Sequence, residues 1–209
     1  MKIFYDTEFL EDGHTIDLIS IGLVAEDGRQ LYAINEFAPL HEILAHDWLM
    51  ANVVPSLPLR ITHRDSAGVP NGIWWDDQHP DRQHVHTKGA IADQVRDFIL
   101  TTPDVELWAW YGAYDHVALC QLWGRMIDLP SGVPMWTNDL RQECMRLGNP
   151  RVPEQAEGEH NALADAKHNQ VMSRFLAAYK KSRFVIENHH EPGSPEDLAM
   201  RTRLGDHEG

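Results

Sequence analysis

Phe4-Tyr5-Asp6-Thr7-Glu8-Phe9 decides how the rest of this chain is read. Residues Lys2 to Phe9 combine β-branched and aromatic side chains and predict a strand. On a strand, Asp6 and Glu8 are two apart and project from the same face of the sheet. Held side by side they repel, so the pair must be solvated, protonated on one member, or bridged by a cation. Asp6 also interrupts an otherwise apolar strand, where carboxylates with no function are costly. The same Asp-x-Glu spacing recurs at Asp104-Val105-Glu106 with nothing around it to suggest a site. The motif therefore needs partners elsewhere in the chain.

The surrounding sequence bounds what those partners can do. The 209 residues, 43% hydrophobic and 24% charged, suit one globular domain with a substantial core. They exclude a disordered tail protein, a collagen-like chain and a disulfide scaffold. The formal net charge of -14 excludes a protein that coats long nucleic acid by neutralising phosphates, and leaves room only for a short, local site. Cys120 and Cys144 match no metal or redox spacing and are expected as buried thiols in a reducing compartment. Met1 to Asp6 is too short an apolar stretch for a signal peptide, and no window approaches a membrane span. A cytoplasmic protein with no membrane partner is expected.

After the first strand, Ile16 to Ala25 and Gln30 to Phe37 predict two more strands joined by short turns, an antiparallel meander. Helical spacing follows Pro39 as far as Val54. Residues 53 to 87 lack periodicity, carry Pro55, Pro58, Pro70 and Pro80, and are expected as an insertion. Beyond it come a helix from Lys88 to Leu100, a central strand from Val105 to Trp110 and a helix from Tyr114 to Met126. A short strand near Met135 to Thr137, a helix from Asp139 to Leu147 and a long helix from Asn161 to Tyr179 complete the pattern. The expected architecture is α/β: a mixed sheet, antiparallel meander plus parallel strands, flanked by helices in one domain over 1–187. The polar tail, 188–209, is expected to be loosely ordered.

Two further segments supply acids. Asp115 follows the apolar strand and the step Tyr111-Gly112-Ala113, at a helix entrance. In open α/β sheets, sites lie outside the carboxyl ends of strands. The alternative for Asp115 is a helix cap or a first-turn acid favoured by the helix dipole. His160 and Asp165 are five apart, about 140° from each other on one helix, so they cannot share a helical face. If Asn161 caps the helix, His160 lies on the preceding loop over a site while Asp165 projects from the first turns. Four carboxylates converging without cations would be badly strained, and two divalent ions would balance them. Hard oxygen ligands favour Mg²⁺ or Mn²⁺ over Zn²⁺. Paired ions of this kind clamp the attacking and leaving oxygens of a phosphodiester.

With Asp6-Thr7-Glu8, Gly112-Ala113-Tyr114-Asp115 and His160-Asn161-Ala162-Leu163-Ala164-Asp165 in this order, residues 1 to about 180 resemble a DEDDh 3'-5' exonuclease of the RNase H-like superfamily. Glu11-Asp12-Gly13-His14-Thr15 and Trp108-Ala109-Trp110 make the chain similar to the actinobacterial polyadenylate-specific 3'-exoribonuclease branch. The resemblance implies an RNase H-like fold, a homodimer and a single-stranded RNA 3' end, adenylate-rich in that branch, as substrate. It implies that Asp6, Glu8, Asp115 and Asp165 hold two Mg²⁺ ions, with Asp6 touching both and Mn²⁺ a substitute. His160 would be the general base, a role suited to a near-neutral pKa, and nucleoside 5'-monophosphates the products. Histidine at 160 assigns the DEDDh rather than the DEDDy branch. Two departures stand out. Phe9 and Leu10 replace the small polar pair that many relatives carry after the first motif; with Thr7 they are candidate substrate contacts, able to wedge against or stack on a terminal base. Tyr111 stands where many relatives have Asn.

Rival readings remain open. Residues 141 to 183 hold 8 Lys+Arg against 5 Asp+Glu, a local +3 that leaves -17 elsewhere. That flank either guides a 3' end or is a solvated helix end. His41-Glu42-Ile43-Leu44-Ala45-His46 misses the zinc-protease spacing by placing Ala45 at the second His position. His79, His84 and His86 are expected as surface residues, Trp108 and Trp110 as sheet packing, and Trp74 and Trp75 as stacking or dimer candidates. The competing functions are a proofreading or repair 3'-5' exodeoxyribonuclease, since no residue identifies a 2'-hydroxyl reader, and a catalytically silent RNA-binding module.

Overall fold

The computed structural model describes residues 1–61 and 72–189. Strand β1 (Lys2–Glu11) pairs antiparallel with β2 (Ile16–Ala25), which pairs antiparallel with β3 (Gln30–Asn35). These three form the expected meander. A hairpin of β4 (Leu59–Ile61) and β5 (Ile73–Trp75) stands apart from them. After a short 3₁₀ turn at Pro80–His84, β6 (Val85–His86) joins the main sheet parallel to β3. On the other side, β7 (Glu106–Ala109) lies parallel to β1 and β8 (Asn138–Asp139) parallel to β7. The six-stranded mixed sheet therefore runs β6-β3-β2-β1-β7-β8, with β1 and β2 in its interior.

Alternation along β1 sorts its side chains between two cores. Ile3 and Tyr5 are fully buried on the face covered by α3 (Lys88–Leu100) and α4 (Ala113–Cys120), among Ile91, Val95, Ile99 and Leu119. Asp6 and Glu8 have the opposite parity and project toward α6 (Ala162–His189). On β7 the same alternation sends Leu107 and Ala109 into the first core. Trp108 and the following Trp110 pack instead against α5 (Leu140–Arg146) and α6, with Leu140, Cys144, Met172 and Leu176. A third cluster, under α1 (Leu40–Ala45) and α2 (Asp47–Asn52), joins Ile19, Ile34, Ile43 and Leu49 to Ala162. β1 and β2 change register between Glu8 and Phe9, so Ile19 is the extra residue of a β-bulge beside the Asp-x-Glu pair. Such bulges re-aim side chains at the ends of paired strands.

Several elements differ from expectation in extent. The helical segment expected after Pro39 is broken at His46, whose extended backbone ends α1 and whose ring accepts the Leu49 N–H to start α2. α4 ends at Cys120 rather than Met126, and the short strand near residue 136 is β8, at Asn138–Asp139. α6 runs past Tyr179 to His189. The expectation of a loose tail falls, from residue 190 onward, outside the described residues, as does the 62–71 part of the 53–87 segment. The remainder of that segment is not featureless. Trp75 donates its indole N–H to the Glu36 carbonyl at 3.3 Å, His79 caps the 3₁₀ turn, and His84 tilts over Tyr32 with ring centroids 5.4 Å apart. Both cysteines are free and buried. No helix among the described residues is long and apolar enough to cross a membrane.

Gly22 positions the last helix. It pairs with Asp6, and a Cβ there would fall 2.5 Å from the Leu163 Cα and closer still to the Ala162 carbonyl. Backbone meets backbone at this point, so neither side can yield by changing rotamer. We expect Gly22→Ala to cost about 2–3 kcal/mol and to lower Tm by roughly 5 °C or more. Gly89→Ala, on α3 where a Cβ would meet nothing within 4 Å, is expected to match or slightly exceed the parent. Thermal melts of the two variants check this, and a parent-like Tm for Gly22→Ala would show that α6 does not rest on that contact.

Candidate active site

Each acid reaches the site by a different local device. Asp6 and Glu8 come from the same face of β1. Asp115 sits in the first turn of α4, where it makes no capping bond. Its Oδ1 instead accepts the backbone N–H of Thr7 at 2.8 Å and the Thr7 hydroxyl at 2.7 Å, fastening α4 to β1. The turn into α4 is fixed from the other side by Asp139. Its carboxylate accepts the Gly112 N–H at 3.0 Å and also caps α5. Tyr111 there has φ 55°, a left-handed conformation that Asn adopts more readily than an aromatic residue.

Asn161 caps α6 as the spacing predicted, its Oδ1 accepting the Ala164 N–H at 3.1 Å. His160 then lies just outside the helix with φ 64°, and its backbone N–H donates to Asp165 at 2.9 Å. Gln155 Nε2 donates to the other Asp165 oxygen at 2.7 Å. The His160 carbonyl accepts the Ser56 hydroxyl at 3.1 Å, and the imidazole meets the Trp48 ring edge-on with centroids 4.8 Å apart. The 46–56 segment thus holds the loop that carries the histidine.

These residues line one cleft of about 720 Å³, with Asp6, Glu8, Asp115, His160 and Asp165 all on its wall. Ligand atoms of Glu8, His160 and Asp165 lie within 4.8 Å of one another. Among the described residues no Lys or Arg lines the cleft, and all four carboxyls are raised from their ordinary values. Burial raises Asp6 well above its ordinary value, helped by the charges of Asp115, Glu8 and Asp165. Glu8 is pushed up to about 8 by burial and then by Asp165 and Asp115. Asp115 reaches about 6, because burial outweighs the two bonds from Thr7. Asp165 is raised by burial against the bonds from Gln155 and His160. Desolvated acids that lack a cationic side chain as partner, and offer only oxygen donors apart from one imidazole, fit hard divalent cations.

The three candidate substrate contacts separate. Phe9 lines the cleft and stacks on Tyr114, centroids 5.9 Å apart and planes 12° apart. Thr7 also lines it but is buried and committed to Asp115. Leu10 packs into the α1–α2 core cluster and does not line the cleft. Sequence reasoning placed Trp110 in the sheet packing, and the structure puts it on the cleft wall as well. Trp48, Tyr114, Gln155 and His168 on the same wall were not singled out. Trp48 fell within a helical apolar pattern although the residue is 48% exposed. A lone Gln gives no sequence signal.

The family model of the Rv2179c-like 3'-5' exoribonuclease domain matches residues 1–176. The protein named 3'-5' exoribonuclease Rv2179c, from Mycobacterium tuberculosis strain ATCC 25618 / H37Rv, is 45% identical over 181 residues, covering 85% of this chain and 94% of its own. The 3'-5' exoribonuclease MT2234.1 of strain CDC 1551 / Oshkosh matches to the same extent. Among solved structures, S. pombe Pop2p in its Mg²⁺- and Mn²⁺-bound form aligns at a TM-score of 0.41 and 14% identity, over 86% of this chain and 84% of that one. Yeast CAF1 with the NOT1 MIF4G domain gives a match at 0.42 and 14%, over 87% and 80%. An acid-lined cleft on a mixed α/β sheet is thus joined to an enzyme class, the 3'-5' exoribonucleases. The chain belongs to the Rv2179c-like 3'-5' exoribonuclease domain family.

The raised acids make stability depend on pH in a definite direction. A carboxyl whose folded pKa lies above its unfolded value binds its proton more tightly when folded, so its contribution declines as pH rises between the two values. For Glu8 that window runs from about 4.3 to about 8. Without divalent ions, the Tm of Glu8→Gln relative to the parent should climb across this window and then level off. A Tm difference that stays constant from pH 5 to 8 would show that Glu8 titrates as an ordinary surface acid.

Proposed function

We propose that the protein is a metal-dependent 3'-5' exoribonuclease that removes nucleoside 5'-monophosphates one at a time from the 3' end of single-stranded RNA, adenylate-rich ends included. The observation that carries this reading is the convergence of Asp6, Glu8, Asp115, Asp165 and His160 on one cleft that has no Lys or Arg among the described residues. Asp6, Glu8, Asp115 and Asp165 would hold two Mg²⁺ ions, or Mn²⁺. Bound there, the ions supply charge neutralisation and Lewis-acid stabilisation of the phosphoryl oxygens. This set of residues, with histidine rather than tyrosine at 160, supports the DEDDh assignment within an RNase H-like fold.

His160 is the general base. Its imidazole takes a proton from the attacking water as the new O–P bond forms on the terminal phosphodiester. The bond from phosphorus to the 3' oxygen breaks, and that oxygen leaves on the shortened strand and gains a proton. Trp48 and Ser56 hold the loop so that the ring faces the acids. Phe9 and Tyr114 offer a stacked aromatic surface to the terminal base. A homodimer, carried over from the family resemblance, would cover exposed apolar side chains such as Ile127 and Trp136. A second reading makes His160 a metal ligand, favoured by its place in the 4.8 Å group with Glu8 and Asp165.

The test incubates the protein with Mg²⁺ or Mn²⁺ and matched 5'-labelled single strands of RNA and DNA, with adenylate and mixed 3' ends. A ladder shortening from the 3' end on RNA is expected. Equal degradation of DNA would favour the exodeoxyribonuclease, and no degradation a binding module. Asp6→Ala and Asp165→Ala should abolish turnover while the metal-free fold stays intact or gains slightly in Tm, because repulsion is relieved. His160→Ala should lower turnover by roughly 10²- to 10⁴-fold with Mn²⁺ binding kept. Loss of Mn²⁺ binding in that variant, read by calorimetry, would establish the ligand reading instead.

A further inference from the structure

The proposed reaction requires a polyanion to enter a cleft lined by carboxylates, in a chain whose formal net charge is -14. Ions at the four acids answer this for the phosphodiester being cut. The phosphates upstream of it still have to pass Glu154 and Glu159 on the cleft wall. Next to the cleft, sharing Trp110, Val152 and Glu154 with it, lies a notch of about 280 Å³ whose wall includes Arg141, Arg151 and Asn149.

The two arginines are held in different ways. Arg141 is half-buried in the first turn of α5 and donates Nη1–H to the Asn149 side-chain Oδ1 at 2.7 Å, which fixes its guanidinium on the notch wall. Asn149 takes a left-handed conformation, φ 54°, where the chain turns back past α5. Arg151 is paired with Glu154, but the two side chains are 87% and 80% exposed. A pair so open to solvent contributes little, and Arg151 can exchange it for a phosphate at small cost. A guanidinium offers a planar fork of donors that matches phosphate oxygens. Trp110 on the shared wall presents a half-buried ring between the two depressions.

Resting on the exoribonuclease reading, we infer that the Arg141–Arg151 notch binds a phosphodiester of the RNA strand upstream of the one cleaved, with the intervening base leaning on Trp110. Phosphate-binding groups of this kind position a strand without reading its bases. The notch therefore acts on substrates long enough to reach it and adds nothing to the chemistry itself.

The experiment measures kcat and KM for the parent, Arg151→Ala, Arg141→Ala and Arg141→Lys on a 5'-labelled adenylate 12-mer and on the dinucleotide pApA, across a salt series in Mg²⁺. Each alanine variant should raise KM on the 12-mer by roughly three- to tenfold at low salt, with kcat kept. The slope of log KM against log salt should fall by about 0.7 for each phosphate that the variant no longer neutralises. The rise should be much smaller on pApA, and Arg141→Lys should recover part of it. Arg151→Ala removes an exposed side chain and controls for folding, as does the Tm of every variant. An unchanged KM and salt slope on the 12-mer, or an equal rise on both substrates, would overturn the notch while leaving the exoribonuclease reading intact. A parent that shortens neither substrate would overturn both.

Discussion

At Gly22 the backbone of β2 passes against the backbone of Ala162 and Leu163 with no side chain between them, and this close approach sets where Asp165 stands relative to the acids of β1. Gly22 is the residue paired with Asp6. α6 therefore meets the sheet backbone to backbone beside the first motif, and Asp165 follows within the first turn of the helix. Asn169 and Gln170 lock the approach further along by donating to the backbone carbonyls of Tyr5 and Ala25, at 3.1 and 3.2 Å. A helix one side chain further away would take Asp165 out of the group that it forms with Glu8 and His160, whose ligand atoms lie within 4.8 Å of one another. The geometry of the candidate site is thus a consequence of helix-to-sheet packing distance.

That packing forces like charges together. At an effective dielectric of about 20, two unit negative charges ~5 Å apart repel by about 3 kcal/mol, so four ionised carboxyls could not all be held by one fold without compensation. The chain answers in two ways. Asp115 accepts two hydrogen bonds from Thr7 and Asp165 accepts from Gln155 and His160, which stabilise their ionised forms. Burial nevertheless raises all four, so that in the absence of ions protonation relieves the repulsion. Supporting bonds to acids that stay poised to bind a cation are what a metal centre requires, since ligands already neutralised by Lys or Arg would bind ions weakly. Thr7 illustrates the division of labour. Standing between two candidate ligands and read as a substrate contact, it is buried and spends its hydroxyl on orienting a third.

Much of this was legible because it rests on short-range rules. The Asp-x-Glu parity followed from strand alternation, and the break between His160 and Asp165 followed from the 3.6-residue period together with the capping preference of Asn161. The meander and the long last helix came from periodicity. What escaped depends on distant packing. Nothing local at Trp48 says that its ring will meet an imidazole 112 positions later in the chain numbering. Gln155 lies in an irregular stretch, and its bond to Asp165 is fixed only once α6 is docked. Trp110 was half legible: alternation with Trp108 marked both as sheet packing, which the cluster with α5 and α6 bears out, but whether Trp110 ends inside the core or at a cleft wall depends on where the sheet stops. The end of the 53–87 segment was illegible for a related reason. Near its end, Val85 and His86 form an edge strand of the main sheet, too short to show any period.

The acidity of the whole chain takes on a physical meaning once the charges are placed. If RNA is the substrate, a net charge of -14 disfavours binding along the length of a strand, because nonspecific affinity comes from phosphate neutralisation. Attraction is then confined to places where the sign is reversed: the acid cluster once divalent ions are bound, and a rim that carries guanidinium groups. A free 3' end can reach the first of these, and the strand behind it can meet the second. Selectivity for an end over an internal segment follows from that arrangement, with electrostatic repulsion excluding the rest of the polymer.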